Sequence, residues 1–407
     1  MTTRGDILIV GAGPVGLTAA LAVRSTGRPV RVLEAGAADR LRPGSRAIYL
    51  HGATLKILER LSPGLGHALA RGGIVWPTRR TTYKGHTVFQ RTYKNRGETA
   101  DGLPHFTSLS QVEAEHCLLA ACHAAGVEFI WNRTAQRADV TGDTVEISTD
   151  TGDVYHGAYV IAADGARSAI RESIGIELEG TRSINTFVIA DVAEIAESPL
   201  PVERVFHYRH PQVGGRNVLL VPFAGGWRAD LQLRVDDDPK QFSEGEGLRN
   251  WLAATLGPAY ADRVTWVSNY QFLQVIAGSF CDPTGRVLLV GEAAHLFAPF
   301  GARGLNSGVP DAEHAALAID AALNTESEAD RLAAIQAFDA ARRGAAEWNR
   351  RAAGIALRHL QARDPIAKIR LAVAASLAPY SAKAAKWLDE APYGPTTGPD
   401  ESRQVKY

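Results

Sequence analysis

Three clusters hold the residues in this 407-residue sequence that are best suited to chemistry. The first is Gly11-Ala12-Gly13-Pro14-Val15-Gly16, between the apolar run Ile7 to Val10 and a helical pattern over Leu17 to Ser25. Gly11 permits a tight turn, Gly13 lets the backbone approach a pyrophosphate, and Gly16 lets helix and strand pack closely. The phosphates would sit on the helix N-terminus, where free N–H groups and the dipole favour anions. A second strand, Val30 to Leu33, ends at Glu34, which is placed to accept a hydrogen bond from an adenosine ribose 2′-OH and disfavours a 2′-phosphate. The second cluster is Asp164-Gly165-Ala166-Arg167-Ser168 with Arg171, and the third is Gly291-Glu292-Ala293-Ala294-His295 with Pro299 and Gly301 to Asn306. No His/Cys/Asp/Glu group has metal-ligand spacing, and no Gly-x-Ser-x-Gly elbow or paired carboxylates offer hydrolysis. A bound dinucleotide cofactor must therefore carry the chemistry.

The elements that position these clusters follow from periodicity. Arg46 stands where a polar loop meets Ala47 to Leu50 and the helical pattern Ala53 to Leu61. Residues 76–106 alternate and turn as a hairpin does. Ser110 and Glu113 form a capping box ahead of a helix over Val112 to Ala125, and Tyr159 to Ala163 is a buried strand. Strand patterns dominate Arg182 to Ser279, including one over Val264 to Val275, with a helix near Phe242 to Leu256. Arg286 to Val290 is again a buried parallel strand, followed by helices over Ser307 to Leu323, Arg331 to Leu360 and Pro365 to Leu388. The expected architecture is α/β: a Rossmann-like domain with a parallel sheet (1–75, 107–181, 280–325), an inserted, mostly antiparallel substrate domain (76–106, 182–279), C-terminal helices (326–390) and a loose tail (391–407).

Lys+Arg and Asp+Glu are equal at 44 each, so no global field would draw in nucleic acid or an anionic membrane. Hydrophobic content of 45% predicts a folded globule. Three cysteines, Cys117, Cys122 and Cys281, are too few for a disulfide framework and fit a reducing compartment. With no room for a signal peptide and no apolar run of membrane length, a cytoplasmic location is expected.

The order and spacing of the three clusters resemble those of the class A, single-component FAD-dependent aromatic monooxygenases of the para-hydroxybenzoate hydroxylase type, over roughly Asp6 to Leu323. The resemblance implies FAD as cofactor, held by Gly11, Gly13, Pro14, Val15, Gly16, Glu34, Arg46, Gln111, Asp164, Gly165, Glu292, Pro299, Gly301, Gly304, Leu305 and Asn306. Three departures stand out: Glu292 replaces the family's usual aspartate, Ala302-Arg303 stands where a second glycine and often glutamine are common, and Glu313 to Ile319 lacks the usual Asn-Leu-Ala-Trp pattern. Backbone N–H groups at the start of the helix from Ser307 would stabilise the negative edge of reduced flavin.

The resemblance further implies that NADH or NADPH reduces FAD, docking transiently because the chain has a single dinucleotide fingerprint. O2 then adds at flavin C4a to give a hydroperoxide, and one oxygen passes to a phenolic, heteroaromatic or polyketide-type ring. Such a substrate would lie beneath the second domain's sheet, facing the Pro299 loop, among Tyr83, His207, Val221, Gln232, Tyr270 and Phe272. A one-residue slip in strand phase would exchange the two faces. His207 could deprotonate a phenol near neutral pH, with Pro299 the other candidate at the reacting centre. Arg204, Arg209, Arg228 and Arg234 are candidate carboxylate clamps or solvent-face residues. The same fold serves flavin halogenases, epoxidases and reductases, although the halogenase Trp-x-Trp-x-Ile-Pro signature is missing, and a related scaffold could bind flavin without turnover.

Overall fold

A computed structural model describes residues 6–40, 47–93, 101–362 and 364–395. Its centre is a five-stranded parallel sheet in the order Val287–Leu289, Tyr159–Ala162, Ile7–Val10, Val30–Leu33, Glu128–Ile130. Leu8, Ile9, Val160, Ile161 and Leu288 are fully buried, as continuous apolar runs require when helices cover both faces. The first helix runs Pro14–Ser25, three residues earlier than its apolar period predicts, because proline at the first helical position needs no hydrogen-bond partner. Ser110 caps the helix Gln111–Ala124 by accepting from the Glu113 N–H at 3.2 Å.

The second sheet has seven strands, in the order Val264–Tyr270, Phe187–Ala193, Gly226–Gln232, Arg216–Phe223, Glu203–His210, Thr78–Tyr83, His86–Thr92. Its pairing assigns each residue to a face. Val188, Leu231, Val218 and His207 are mutually opposite and share one face, as do Ala190, Ala229, Leu220 and Val205. That face packs on the helix Gly245–Leu256 through Leu248, Trp251 and Leu252. The other face carries three rows. Trp266, Asp191, Arg228 and Val221 form the first, with Arg204 and Arg79 completing it across the sheet. Ser268, Ile189, Asp230, Leu219, Phe206 and Thr81 form the second. Tyr270, Phe187, Gln232, Asn217, Tyr208 and Tyr83 align in the third.

Three expected elements divide. The helix expected near Phe242 to Leu256 is interrupted at Glu244, which is extended between Lys240–Ser243 and Gly245–Leu256. The strand expected over Val264 to Val275 breaks at Gln271-Phe272, where the chain leaves the seven-stranded sheet and Leu273–Ala277 pairs with Leu178–Arg182 and His295–Leu296 instead. The helix expected over Pro365 to Leu388 breaks because Ser381 caps a new helix, Ala382–Glu390, accepting from Ala384 N–H.

The C-terminal helices cover part of the three-row face. Asn217 and Gln232 donate to the Leu360 carbonyl, at 3.3 and 3.2 Å, and Tyr208 donates to the Leu388 carbonyl at 2.9 Å. Asp389, 1% exposed, meets Arg79 through one oxygen and Arg204 through the other, each at 2.5 Å, and accepts from Thr81 at 2.9 Å. Among the described residues no helix is long and apolar enough to cross a membrane. Removing the carboxylate strands two buried guanidinium groups: Asp389→Ala is expected to destabilise the protein by about 3–5 kcal/mol, read as a lower urea midpoint, and an unchanged midpoint would contradict this anchoring.

Candidate active site

The three sequence clusters converge where backbone approaches backbone. Gly11 has φ +97°, and a Cβ there would stand 2.6 Å from the Ala163 carbonyl and 3.2 Å from Asp164 Cα, so the first cluster abuts the second. At Gly16 a Cβ would fall 1.9 Å from the Gly11 carbonyl oxygen, which is the close helix–strand contact its position predicts. Val15 joins the first cluster to the third, since Cβ atoms on Gly291 and Gly308 would come within 3.0 and 2.5 Å of its methyl groups. Arg171 ties the second cluster to the third by donating to the Ala166 and Ala293 carbonyls.

Behind the third cluster lies a buried ionic node that the sequence pattern did not single out. Asp311 Oδ2 receives the Gly291 N–H at 3.2 Å and contacts His295 Nε2 at 2.6 Å, while Oδ1 receives Arg342 Nε at 2.8 Å. Burial opposes ionisation of Asp311, but His295 and Arg342 outweigh it and hold the carboxyl below its ordinary value. Acidic and basic residues in the midst of alanine-rich helical faces, Asp311 and Arg342, were the available signal.

Individual candidates divide by what their atoms already do. Glu34 accepts from the Ala12 and Gly36 N–H groups at 2.6 and 3.0 Å, and Arg40 lies 3.6 Å away. Asp164 accepts from Ser168 Oγ at 2.6 Å and from Ile170 N–H at 3.2 Å, and burial raises its pKa. Gln111 donates to Glu115 at 2.7 Å. Asn306 spends its whole side chain on protein: Oδ1 takes the His51 N–H and the Thr54 hydroxyl, and Nδ2 donates to Tyr49 and Ala302 carbonyls. It therefore brackets two elements rather than presenting an amide to a ligand. Glu292 is exposed in a single helical turn, Gly291–Ala293. Arg46 lies outside the described residues.

The third cluster's helix begins at Arg303, not Ser307, so Gly304, Leu305 and Asn306 occupy its first turn. Pro299 accepts the Ala302 N–H at 2.8 Å, and Ala302 takes a left-handed conformation, φ 54°, to launch the helix. Arg303 is withdrawn from the surface, donating to Asn349 and to the Tyr393 and Pro395 carbonyls, which accounts for arginine at this position. Gly301 faces the Tyr393 carbonyl, whereas Gly304 has nothing within 4 Å of a Cβ.

The helices Pro14–Ser25 and Arg303–Leu323 thus share one property. Neither has a side-chain cap, and each has an adjoining glycine, Gly13 or Gly304, with empty space where a Cβ would stand. Unclaimed N–H groups beside such space suit a pyrophosphate at one helix and an electron-rich ring edge at the other. The family described as FAD binding domain matches residues 4–348. The chain belongs to that FAD-binding family. It is 33% identical over 319 residues to 6-methylpretetramide 4-monooxygenase of Streptomyces rimosus, covering 75% of this chain and 54% of that protein. It is 31% identical over 328 residues to 3-(3-hydroxy-phenyl)propionate/3-hydroxycinnamic acid hydroxylase of Mycolicibacterium smegmatis, covering 75% and 53%. The chain spans about half the length of these curated relatives. The solved p-nitrophenol 4-monooxygenase of Pseudomonas putida DLL-E4 superposes with TM-score 0.77 at 24% identity, over 97% of this chain and 99% of that one, and so shares the fold.

Beside these two helix N-termini, the three-row face of the seven-stranded sheet meets the Pro299 loop. Phe300 packs on Phe187 and Phe272, with ring centroids 5.6 and 5.7 Å apart. Of the expected lining residues, Tyr83, Val221, Gln232 and Tyr270 lie on this face and Phe272 lies beside it. His207 does not. It pairs with Val218 on the opposite face, bonds Thr82 Oγ1 at 2.9 Å, and burial lowers its pKa to about 3. A phase difference of one residue separates it from the cleft, so it is not the substrate's base. Gln232 and Tyr208 are occupied by the C-terminal helices, and so are Arg79, Arg204 and Thr81 through Asp389, which leaves the half-buried Trp266, Arg228, Val221, Ser268, Asp230 and Leu219 as the open part of the wall.

Two outcomes follow from this geometry. Ala302→Gly should raise stability by about 0.5–1 kcal/mol, the left-handed cost relieved less the extra backbone entropy; a lower urea midpoint would contradict the strain. Since folded His207 stays neutral down to about pH 3 and the unfolded residue protonates near 6.5, stability is lost as pH falls below 6.5. By pH 5 this one group accounts for about 2 kcal/mol, so His207→Gln should flatten the pH 8-to-5 stability difference by that amount. Superimposable wild-type and variant profiles would show that His207 titrates normally.

Proposed function

We propose that this chain is an FAD-dependent monooxygenase that hydroxylates an aromatic ring, with NADPH or NADH and O2 as co-substrates. The observation that carries the reading is the open Gly304 helix N-terminus set against an aromatic and aliphatic cleft wall. The two curated relatives' names, a 6-methylpretetramide monooxygenase and a hydroxyphenylpropionate hydroxylase, support the same reaction class. In this reading residues 1–75, 107–181 and 280–325 hold FAD, and residues 76–106 and 182–279 roof the substrate.

Bound FAD supplies electron transfer from the nicotinamide and activation of O2. The chain's own residues bind, orient and exclude water. Gly11, Gly13 and the first turn of Pro14–Ser25 hold the pyrophosphate, and Glu34 serves the adenosine ribose. The N–H groups at Gly304 and Leu305 stabilise negative charge on the ring edge facing them. Phe187, Phe272 and Phe300 keep the reacting centre dry. Pro299, which has no proton to give, acts by shape and by directing its carbonyl into the Ala302 turn.

The test is spectroscopic and chemical. Purified protein should carry FAD, an aromatic ligand should speed NAD(P)H oxidation, and the product mass should rise by one oxygen. Bound FAD with no stimulation by any phenol or polyketide would sink the hydroxylase reading in favour of a flavin-binding role.

A further inference from the structure

We propose that the cleft selects aromatic substrates without a carboxylate or other fixed negative charge, and that the Asp230–Arg228 pair enforces the selection. The inference rests on the hydroxylase reading and names its substrate class.

The argument is a charge count on one face. Across the six strands other than the edge strand His86–Thr92, the three-row face carries three arginines, Arg79, Arg204 and Arg228. Three aspartates meet them: Asp191 and Asp230 from the sheet, and Asp389 delivered by the last helix. Arg79 and Arg204 are both held by Asp389, one on each carboxylate oxygen. Arg228 gives Nε to Asp230 at 2.8 Å and a terminal nitrogen to the Ala47 carbonyl at 3.0 Å. Burial opposes its charge, yet Asp230 and Asp191 outweigh burial and keep its pKa raised. The edge strand's Arg91 is exposed and stacks on Tyr93, outside the cleft.

Three positive charges are therefore cancelled by three negative ones within the protein. A carboxylate entering beside Leu219 and Val221 would find Arg228, Arg204 and Arg79 already committed and Asp230 facing it, while Arg209 lies over the Tyr83 ring in the third row. In a poorly screened cleft, that arrangement repels an anion and accepts a neutral ring of the same shape. Asp230 is the member that decides: it is half-buried in the open second row, whereas Asp191 and Asp389 are sealed.

The experiment uses the full FAD-loaded chain and pairs of ligands that differ in charge but not shape: 4-hydroxybenzamide with 4-hydroxybenzoate, and 3-hydroxy-2-naphthamide with 3-hydroxy-2-naphthoate. Flavin difference spectra give each dissociation constant. The amide of a pair is expected to bind at least about tenfold more tightly than the acid, and Asp230→Asn, which leaves Arg228 in excess, is expected to shrink that ratio by about tenfold. Asp191→Asn provides a second route to the same charge change should Asp230→Asn fail to retain FAD. Acids binding as tightly as amides in the unaltered protein would overturn the inference while leaving the hydroxylase reading intact. An unchanged ratio in both variants would overturn the role of the pair. If no ring of either charge binds or speeds NAD(P)H oxidation, the hydroxylase reading fails and the inference with it.

Discussion

One buried carboxylate, Asp311, sets the geometry on which the rest of the site depends. An ionised group at 1% exposure is tolerable only when its oxygens are saturated by cations and N–H donors. His295, Arg342 and the Gly291 N–H meet that demand. They come respectively from the short strand His295–Leu296, the long helix Glu328–Gln361 and the start of the third cluster. The same contacts press Gly291 and Gly308 onto Val15, which aligns the two uncapped helix N-termini relative to each other. The spacing of the two helix N-termini is thus tied to a charge buried behind them.

The parts of this arrangement legible in the sequence are those governed by local rules. Gly11 and Gly16 read correctly because a left-handed turn and a close helix–strand contact each demand glycine. The buried strands read correctly because burial on both faces erases alternation. Less legible were features decided by distant partners. His207 fell on the wrong face because nothing in its own strand reveals pairing with Val218, and a single residue of phase reverses the assignment. Asn306 has the composition of a ligand contact, yet four partners from its own helix and from the Tyr49–Thr54 stretch consume it.

The unusual residues of the third cluster gain a physical account from packing. Ala302 accepts a left-handed backbone because the Pro299 carbonyl and the helix behind it fix the turn. Arg303 reaches away from the cleft to hold the chain near Tyr393 and Pro395. That segment in turn lies just past Asp389, which neutralises the roof's Arg79 and Arg204. Floor and roof of the cleft are therefore joined by the same stretch of C-terminal chain, through one set of carbonyl contacts and one shared carboxylate.

The strand order of the parallel sheet bears on how the protein is made. Tyr159–Ala162 pairs on one side with the first strand, but its other edge waits for Val287–Leu289, about 125 residues later in the chain. At about 5–20 residues per second of synthesis, that edge stands open for roughly 6–25 s. An apolar strand edge exposed for so long is a template for mispairing with another nascent chain. The interleaving that brings three distant clusters together thus leaves the half-built sheet with an open apolar edge while the strands of the seven-stranded sheet are being synthesised.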